Sequence, residues 1–338
     1  MTTSSTEPGP SGTRLLTRND VGALLGLDDC ITAVEDALRL HAQGRSLPPG
    51  VLGVPAIDGG FHIKAAGVRR DRTWFAVKCN GNFFNNAGRF GMPNIQGLIL
   101  LLDGENGYPL AVMDSIEITI LRTGAATAVA ARHLARPDAR VLTIFGCGNQ
   151  GRVQARALSR VLTLGRCLAW DTDPSRAGRF AAEMSEELGV SVEAVGDLSA
   201  AVRASDICIT CTPSKRFFLR REDVRPGTFI AGVGADTEEK QELDPRLFSG
   251  AKVVVDNLEQ CATIGDLHHA IDAGTIAREE VHADLAELVA GRRPGRQSPE
   301  EITIFDSTGI ALEDVAAAVM VYERALAAGR GVSLDFGA

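Results

Sequence analysis

The residues Gly146-Cys147-Gly148-Asn149-Gln150-Gly151 place three glycines at G-x-G-x-x-G spacing. They follow the apolar run 141–145 and open a helical stretch at 152–161. In that context each glycine has a task. The first permits a tight turn, the second lets backbone approach a pyrophosphate, and the third lets helix and strand pack closely. The helix N-terminus adds unsatisfied N–H groups and the positive end of its dipole. Asp171 ends the next apolar run, twenty residues after Gly151. An acid there accepts hydrogen bonds from a ribose 2′-hydroxyl and repels a 2′-phosphate. The set predicts a dinucleotide site preferring NAD. Arg176 nearby leaves NADP open. The alternative reading is a glycine-rich turn without a ligand.

Other chemistry-bearing pairs read as structural. Cys208 and Cys211 form C-x-x-C within the apolar run 206–212. Residues three apart on a strand point to opposite faces, so these are core thiols and not a metal or redox pair. Cys147 reads as a small spacer, with no base placed near it. His268 and His269 diverge by about 100° on a helix and lack a matching ligand set, so no metal is expected.

The elements that must position this site follow from periodicity. From residue 140 the chain alternates strand and helix. The six candidate strands are 141–145, 167–171, 192–195, 206–212, 228–233 and 252–256. This is the rhythm of an α/β doubly wound parallel sheet, a Rossmann domain, set at 131–308. Before it, 17–44 reads as two helices. Between 50 and 102 lie β-like runs at 51–54, 61–65, 74–78 and 98–102, separated by Gly, Asn and Pro, which point to an antiparallel or mixed sheet. Residues 116–134 are Ala-rich and helical. Residues 301–329 hold a short apolar strand and a long helix at 312–328 that returns to the first domain. The expected second domain is therefore a discontinuous α+β unit, 14–130 and 309–338.

Composition bounds the setting. At 338 residues the chain exceeds one ordinary core, and 45% hydrophobic content suits a large globular interior. The net charge of -8 is interleaved, without a basic block, so neither nucleic acid nor an anionic membrane is an expected partner. No run is long and apolar enough to span a bilayer. Residues 1–13 read as a disordered tail and not a signal peptide. Seven cysteines without framework spacing point to a reducing, cytoplasmic compartment.

Six segments then carry a resemblance: Val77-Lys78-Cys79-Asn80-Gly81-Asn82, Gly91-Met92-Pro93-Asn94-Ile95, Gly107 through Asp114, Leu121-Arg122-Thr123-Gly124-Ala125, the Gly146 loop, and Gly232-Val233-Gly234-Ala235-Asp236. As a set they are similar to the ornithine cyclodeaminase/mu-crystallin family over residues 15–328. The resemblance implies a homodimer with a Rossmann domain and a substrate domain. It implies hydride transfer between amino acids and their imino or oxo forms. It also implies that Lys78 and Arg122 hold a substrate α-carboxylate, chemistry that suits a point charge and a bidentate guanidinium. Asp236 resembles the family's proton-transferring acid, with Lys78 beside it in the catalytic set. Partial burial would suit that task; the alternative is an N-cap for a charged helical stretch at 237–241. Thr123 and Asp306-Ser307-Thr308-Gly309 resemble segments lining the nicotinamide, with helix capping as the alternative. The implied cofactor set is Gly146, Gly148, Asn149, Gln150, Gly151, Asp171, Thr123, Thr212, Ser307 and Thr308.

Three departures from the family pattern involve four positions. Gly50 stands where many members carry a carboxylate-binding Arg. Asn94 stands where Thr is common and is kept in the substrate-binding set. Lys64 stands where Met is common before Pro-Ala, and His62, two residues earlier, where the cyclodeaminase has an acid facing its substrate. They share one strand face. Lys64 is expected either to replace the missing Arg charge or to recognise a second acidic group. Solvent-directed side chains are the alternative. A lysine there repels the side-chain ammonium of ornithine or lysine. The sequence thus predicts an NAD(P)-dependent amino-acid dehydrogenase or imine reductase. A cyclodeaminase using NAD⁺ catalytically and a non-catalytic binding protein like mu-crystallin are the alternatives.

Overall fold

The computed structural model describes residues 12–336, and the chain separates into two compact units. The first comprises the chain up to Ala33, Gly44–Thr119 and everything from Ala311 onward; the second comprises Val34–Gln43 and Ile120–Ile310. The expected disordered tail falls, for residues 1–11, outside the described residues. Thr13, expected within it, instead opens a strand and is fully buried.

The first unit is built on a seven-stranded mixed sheet in the order β17-β1-β6-β5-β4-β3-β2. Its strands are β1 (Thr13–Leu16), β2 (Ser46–Ala56), β3 (Gly59–Arg69), β4 (Thr73–Asn82), β5 (Ile95–Asp103), β6 (Pro109–Asp114) and β17 (Val332–Leu334). The β-like runs read from sequence are the apolar centres of strands of up to eleven residues. Their ends are Gly- and Asn-rich, which hid them from a hydrophobic pattern. Only the β1–β6 pairing is parallel. Helices α1 (Arg18–Leu24) and α3 (Asn86–Phe90) belong here, while α2 (Leu27–Ala42) and α4 (Ile116–Leu134) each begin in this unit and end in the next. Helix α11 (Ala311–Ala327) covers one sheet face, chiefly β3 and β4. That face is Ala66, Val68, Trp74, Ala76, Ile99 and Leu101, all 3% exposed or less. Burying one large apolar side chain contributes about 1.5–3 kcal/mol, so this stripe anchors the helix.

The second unit holds an eight-stranded sheet, parallel throughout, in the order β15-β14-β16-β12-β10-β7-β8-β9. Its strands are β7 (Val141–Phe145), β8 (Arg166–Trp170), β9 (Ser191–Ala194), β10 (Ile207–Thr210), β12 (Phe229–Gly232), β14 (Lys252–Val255), β15 (Ala283–Asp284) and β16 (Thr303–Asp306). The six expected strands are present, with ends shifted by at most two residues and β7 not shifted at all. The short apolar strand after residue 301 enters the same sheet between β12 and β14, and β15 adds an edge. The order of strands reverses beside β7, the switch point where open α/β sheets bind ligands. Helices α5 (Asn149–Val161), α6 (Pro174–Leu188), α7 (Leu198–Ala204), α8 (Leu258–Ile264), α9 (Asp266–Asp272) and α10 (Leu285–Val289) connect the strands. A small ribbon pairs β11 (Lys215–Leu219) with β13 (Gln241–Leu243). The helical stretch expected at 237–241 is absent. Lys240 N–H donates to the Thr237 carbonyl at 3.2 Å, closing a turn that feeds β13.

Candidate active site

The turn from β7 into α5 is shaped by what its glycines exclude. Gly146 has φ +103°, and a Cβ there would lie 2.8 Å from the Cys211 carbonyl oxygen. At Gly151 a Cβ would collide with the Gly146 carbonyl. At Gly148, the α5 N-cap, a Cβ would meet nothing within 4 Å. Two glycines thus serve the fold, and the third leaves open space beside the first-turn amides of Asn149, Gln150 and Gly151. Helix geometry leaves such amides without intrahelical acceptors. This is the cradle a pyrophosphate requires.

Asp171 closes the turn from β8. Its Oδ2 accepts from the Cys147 amide at 2.9 Å and its Oδ1 from the Asp173 amide at 3.0 Å. Arg176 Nη1 lies 3.9 Å from Oδ2. Cys147 itself is buried, and burial pushes its thiol up to about 12, which suits a spacer. Cys208 and Cys211 are free thiols, and the Cys211 thiol donates to the Gly146 carbonyl at 3.2 Å. Thr123 is buried in α4, its carbonyl accepting from the Thr127 hydroxyl at 3.3 Å.

Behind the cradle lies a group of buried acids that sequence reasoning did not single out. Glu242 is fully buried. Its Oε1 accepts from the Thr212 amide at 2.6 Å and the Thr212 hydroxyl at 2.7 Å; its Oε2 accepts from the Gly234 amide at 2.8 Å. One carboxylate therefore fixes the loops that follow β10 and β12. Asp266 Oδ1 accepts from the Glu242 and Leu243 amides at 2.8 and 3.0 Å. Asp306 accepts from the Asp266 and Leu267 amides at 3.3 and 2.9 Å. Burial pushes all three upward, and neighbouring carboxylates add to it at Asp266 and Asp306, the latter reaching about 8. The signal was present in sequence: Asp306 ends an apolar strand, where a charge needs a partner or a proton.

The Ser307 and Thr308 hydroxyls donate to Asp256, at 3.1 Å to Oδ2 and 3.2 Å to Oδ1 respectively. Asp236 lies in the loop after β12 with its side chain 41% exposed, and Lys240 Nζ is 2.5 Å from its Oδ1. The helix it was expected to cap does not form. The loop supplies a half-buried, ion-paired carboxylate. Of the adjacent histidines, His269 reaches this loop, its Nε2 2.9 Å from the Lys240 carbonyl, while His268 Nδ1 turns back to the Gly265 carbonyl at 3.1 Å. Arg122 is 6% exposed in α4, against Gly309.

In the first unit, Lys64 and Lys78 are direct cross-strand partners, and His62 pairs with Asn80 one step along. Cross-strand partners point to the same face. Lys64 and Lys78 are 9% and 4% exposed, so Lys64 does not extend into solvent as the alternative reading had it, while His62 is half-buried. Lys78 Nζ lies 2.7 Å from Asp314 Oδ2 in the first turn of α11. Asp314 was also missed from sequence, although an acid pair, Glu313-Asp314, opening an otherwise apolar helix is a visible anomaly. Asn80 Oδ1 accepts from the Ser115 hydroxyl at 2.6 Å. Asn94 uses its side-chain oxygen differently, accepting from the Ala87 amide at 3.1 Å at the start of α3.

Among the described residues no helix is long and apolar enough to cross a membrane. Alanine dehydrogenase of Archaeoglobus fulgidus is 39% identical over 324 residues, covering 96% of this chain and 98% of that protein. The solved structure of an archaeal alanine dehydrogenase dimer with bound NAD is similar at a TM-score of 0.91 and 38% identity, covering 96% of this chain and 99% of that one. The Thermococcus litoralis Delta(1)-pyrroline-2-carboxylate reductase, solved with NADH and L-proline, is similar at 0.90 and 34% identity, covering 95% and 100%. The glycine turn, the eight parallel strands and the buried lysines thus stand in a chain whose residues 12–329 match one family model throughout. On that match, the chain belongs to the ornithine cyclodeaminase/mu-crystallin family.

Proposed function

We propose that this chain is an NAD-dependent oxidoreductase acting on the carbon–nitrogen bond of an amino acid or its imine. The observation that carries the reading is the Gly146–Gly151 turn, open only at Gly148 and closed from β8 by Asp171. The relatives' activities support the substrate class. Asp171 disfavours a 2′-phosphate and so favours NAD over NADP. When bound, the nicotinamide exchanges a hydride with the substrate α-carbon.

The chain's own residues do the rest. The first-turn amides of α5 hold the pyrophosphate. Thr212, oriented by Glu242, Thr123, and the Ser307-Thr308 segment line the cofactor. In the first unit, Lys78 and Lys64 are ammonium ligands for a substrate carboxylate; in the second, Arg122 is a guanidinium ligand. Asp236 accepts the proton released at nitrogen or water, and its exposure gives that proton a path out. Two adjacent buried lysines disfavour a substrate bearing a second ammonium, which counts against a cyclodeaminase.

We also propose a homodimer. The first unit exposes Leu52, Ile57, Phe61, Phe90, Met92 and Leu98 at 41–90%. So large an apolar patch on a soluble unit marks an interface. A reducing, cytoplasmic setting suits the free cysteines.

The test combines purified protein, NAD⁺ and a panel of L-amino acids, following NADH absorbance and released ammonia together. NADH and ammonia in step support the reading. Ammonia without NADH overturns it in favour of a cyclodeaminase. No signal here, nor with imine and NADH, overturns it in favour of a binding protein.

A further inference from the structure

Asp256 follows β14 and is 4% exposed. Both of its oxygens are fully engaged. Oδ1 accepts from the Thr308 hydroxyl at 3.2 Å and the Cys261 thiol at 3.1 Å. Oδ2 accepts from the Gly309 amide at 2.6 Å and the Ser307 hydroxyl at 3.1 Å. A carboxylate offers about four acceptor sites, so Asp256 has none left for cofactor or substrate. Three of the four donors belong to consecutive residues. The carboxylate therefore holds Ser307-Thr308-Gly309 in a single conformation. Gln260 reinforces the hold, its Nε2 donating to the Thr308 hydroxyl oxygen at 2.7 Å and the Gly309 carbonyl at 2.9 Å.

The held segment ends against a guanidinium. Gly309 has φ +74°, and a Cβ there would collide with Arg122 Nη1 and lie 2.8 Å from Nη2. The head of Arg122 thus occupies the place where a side chain at residue 309 would go. Any shift of the Gly309 backbone is a shift of the wall against which that head rests.

We propose that Asp256 is a positioning residue for the substrate carboxylate, acting through Gly309 on the Arg122 guanidinium. The inference rests on the reading of Arg122 as a carboxylate ligand. Asp256→Asn keeps size and one acceptor oxygen but turns the other position into a donor facing two donors. The segment must then relax. Displacing a substrate-positioning group by about 1 Å can cost as much as 10²-fold in rate.

The experiment uses the full chain, NAD⁺ and the L-amino acid oxidised fastest in the panel above. Asp256→Asn is expected to raise KM for that amino acid on the order of tenfold. The decisive comparison is made in an Arg122→Lys background, which lacks the guanidinium. There Asp256→Asn should change KM by less than about twofold, because the group it acts on is gone. A purely structural role would change KM by the same factor in both backgrounds, and that result overturns the proposal. So does an unchanged KM in the Arg122 background. Should Asp256→Asn fail to fold, Gly309→Ala tests the same path, since its methyl must displace the guanidinium. It too should raise KM with Arg122 present and much less in the Arg122→Lys background; equal effects overturn the proposal. If Arg122→Lys alone leaves KM unchanged, the reading of Arg122 fails, a result distinct from failure of the Asp256 link.

Discussion

Replacing Asp314 by leucine should cost the first unit about 3–5 kcal/mol of stability, and the reasoning can be followed from one distance. Lys78 Nζ and Asp314 Oδ2 are 2.7 Å apart, with side chains 5% and 2% exposed. At an effective dielectric near 20 their attraction is about 6 kcal/mol. Withdrawing both charges from water costs several kcal/mol per ion, so the pair contributes little net stability. Removing one partner is different, because the other charge stays buried without its carboxylate. Here it would also stand directly across from Lys64. Like charges opposite one another in a sheet are destabilising. Lys78→Met with Asp314→Leu together should therefore regain most of the loss while abolishing amino-acid turnover. The assay is urea unfolding followed by tryptophan fluorescence. The chain has two tryptophans, Trp74 in the first unit and Trp170 in the second. In a Trp170→Phe background, Trp74, buried edge-on against Tyr322, reports the first unit alone. A loss below about 1 kcal/mol for Asp314→Leu, or a double variant less stable than that single one, would refute the argument.

Asp306 holds its proton to about pH 8 in the fold, against 3.8 ordinarily. Its stabilising protonation is therefore complete below about pH 4 and lost as pH rises towards 8, so the urea midpoint should fall between pH 6 and 8. Asp306→Asn should flatten that slope, and a midpoint that rises over the window would contradict the sign. Gly148→Ala should leave stability within about 0.5 kcal/mol but weaken NAD⁺ binding at least tenfold in a fluorescence titration. Gly151→Ala should lose stability as well, because its Cβ meets backbone. Equal melting of the two variants would count against the division of labour among the glycines. With a maleimide at pH 7, Cys147, Cys167 and Cys208, pushed up to about 12, should stay unlabelled until unfolding. Mass spectrometry of the labelled native protein checks this.

The second unit was legible because its signals are local. An apolar run, three glycines and an acid twenty residues on define β7, α5 and β8 without any distant contact, and β7 begins and ends where the pattern says. The buried acids were not legible, because their partners are backbone amides. Glu242 sits in an ordinary Gln-Glu-Leu stretch, and only the fold brings Thr212 and Gly234 to it. Lys78 carried a recognisable motif, but its partner Asp314 lies 236 residues away in sequence. The turn at 237–240 was read as helix because charged residues with high helix propensity fill it. Tertiary context overrode that preference through β13 pairing with β11.

One pairing in the first unit bears on how the chain is made. Thr13–Leu15 pair with Val332–Leu334, so the sheet is finished by the last described strand. At a synthesis rate of roughly 5–20 residues per second, β1 waits on the order of tens of seconds for β17. The second unit ends at Ile310, so its chain is complete roughly 1–5 s before β17 is made. The first unit needs both α11 and β17, and so closes last. A translational pause or truncation near residue 310 would thus yield a chain with a finished nucleotide fold and an open, aggregation-prone sheet. The pairing of β1 with β17 also makes the chain a natural candidate for circular permutation, with a short linker joining residues 336 and 12.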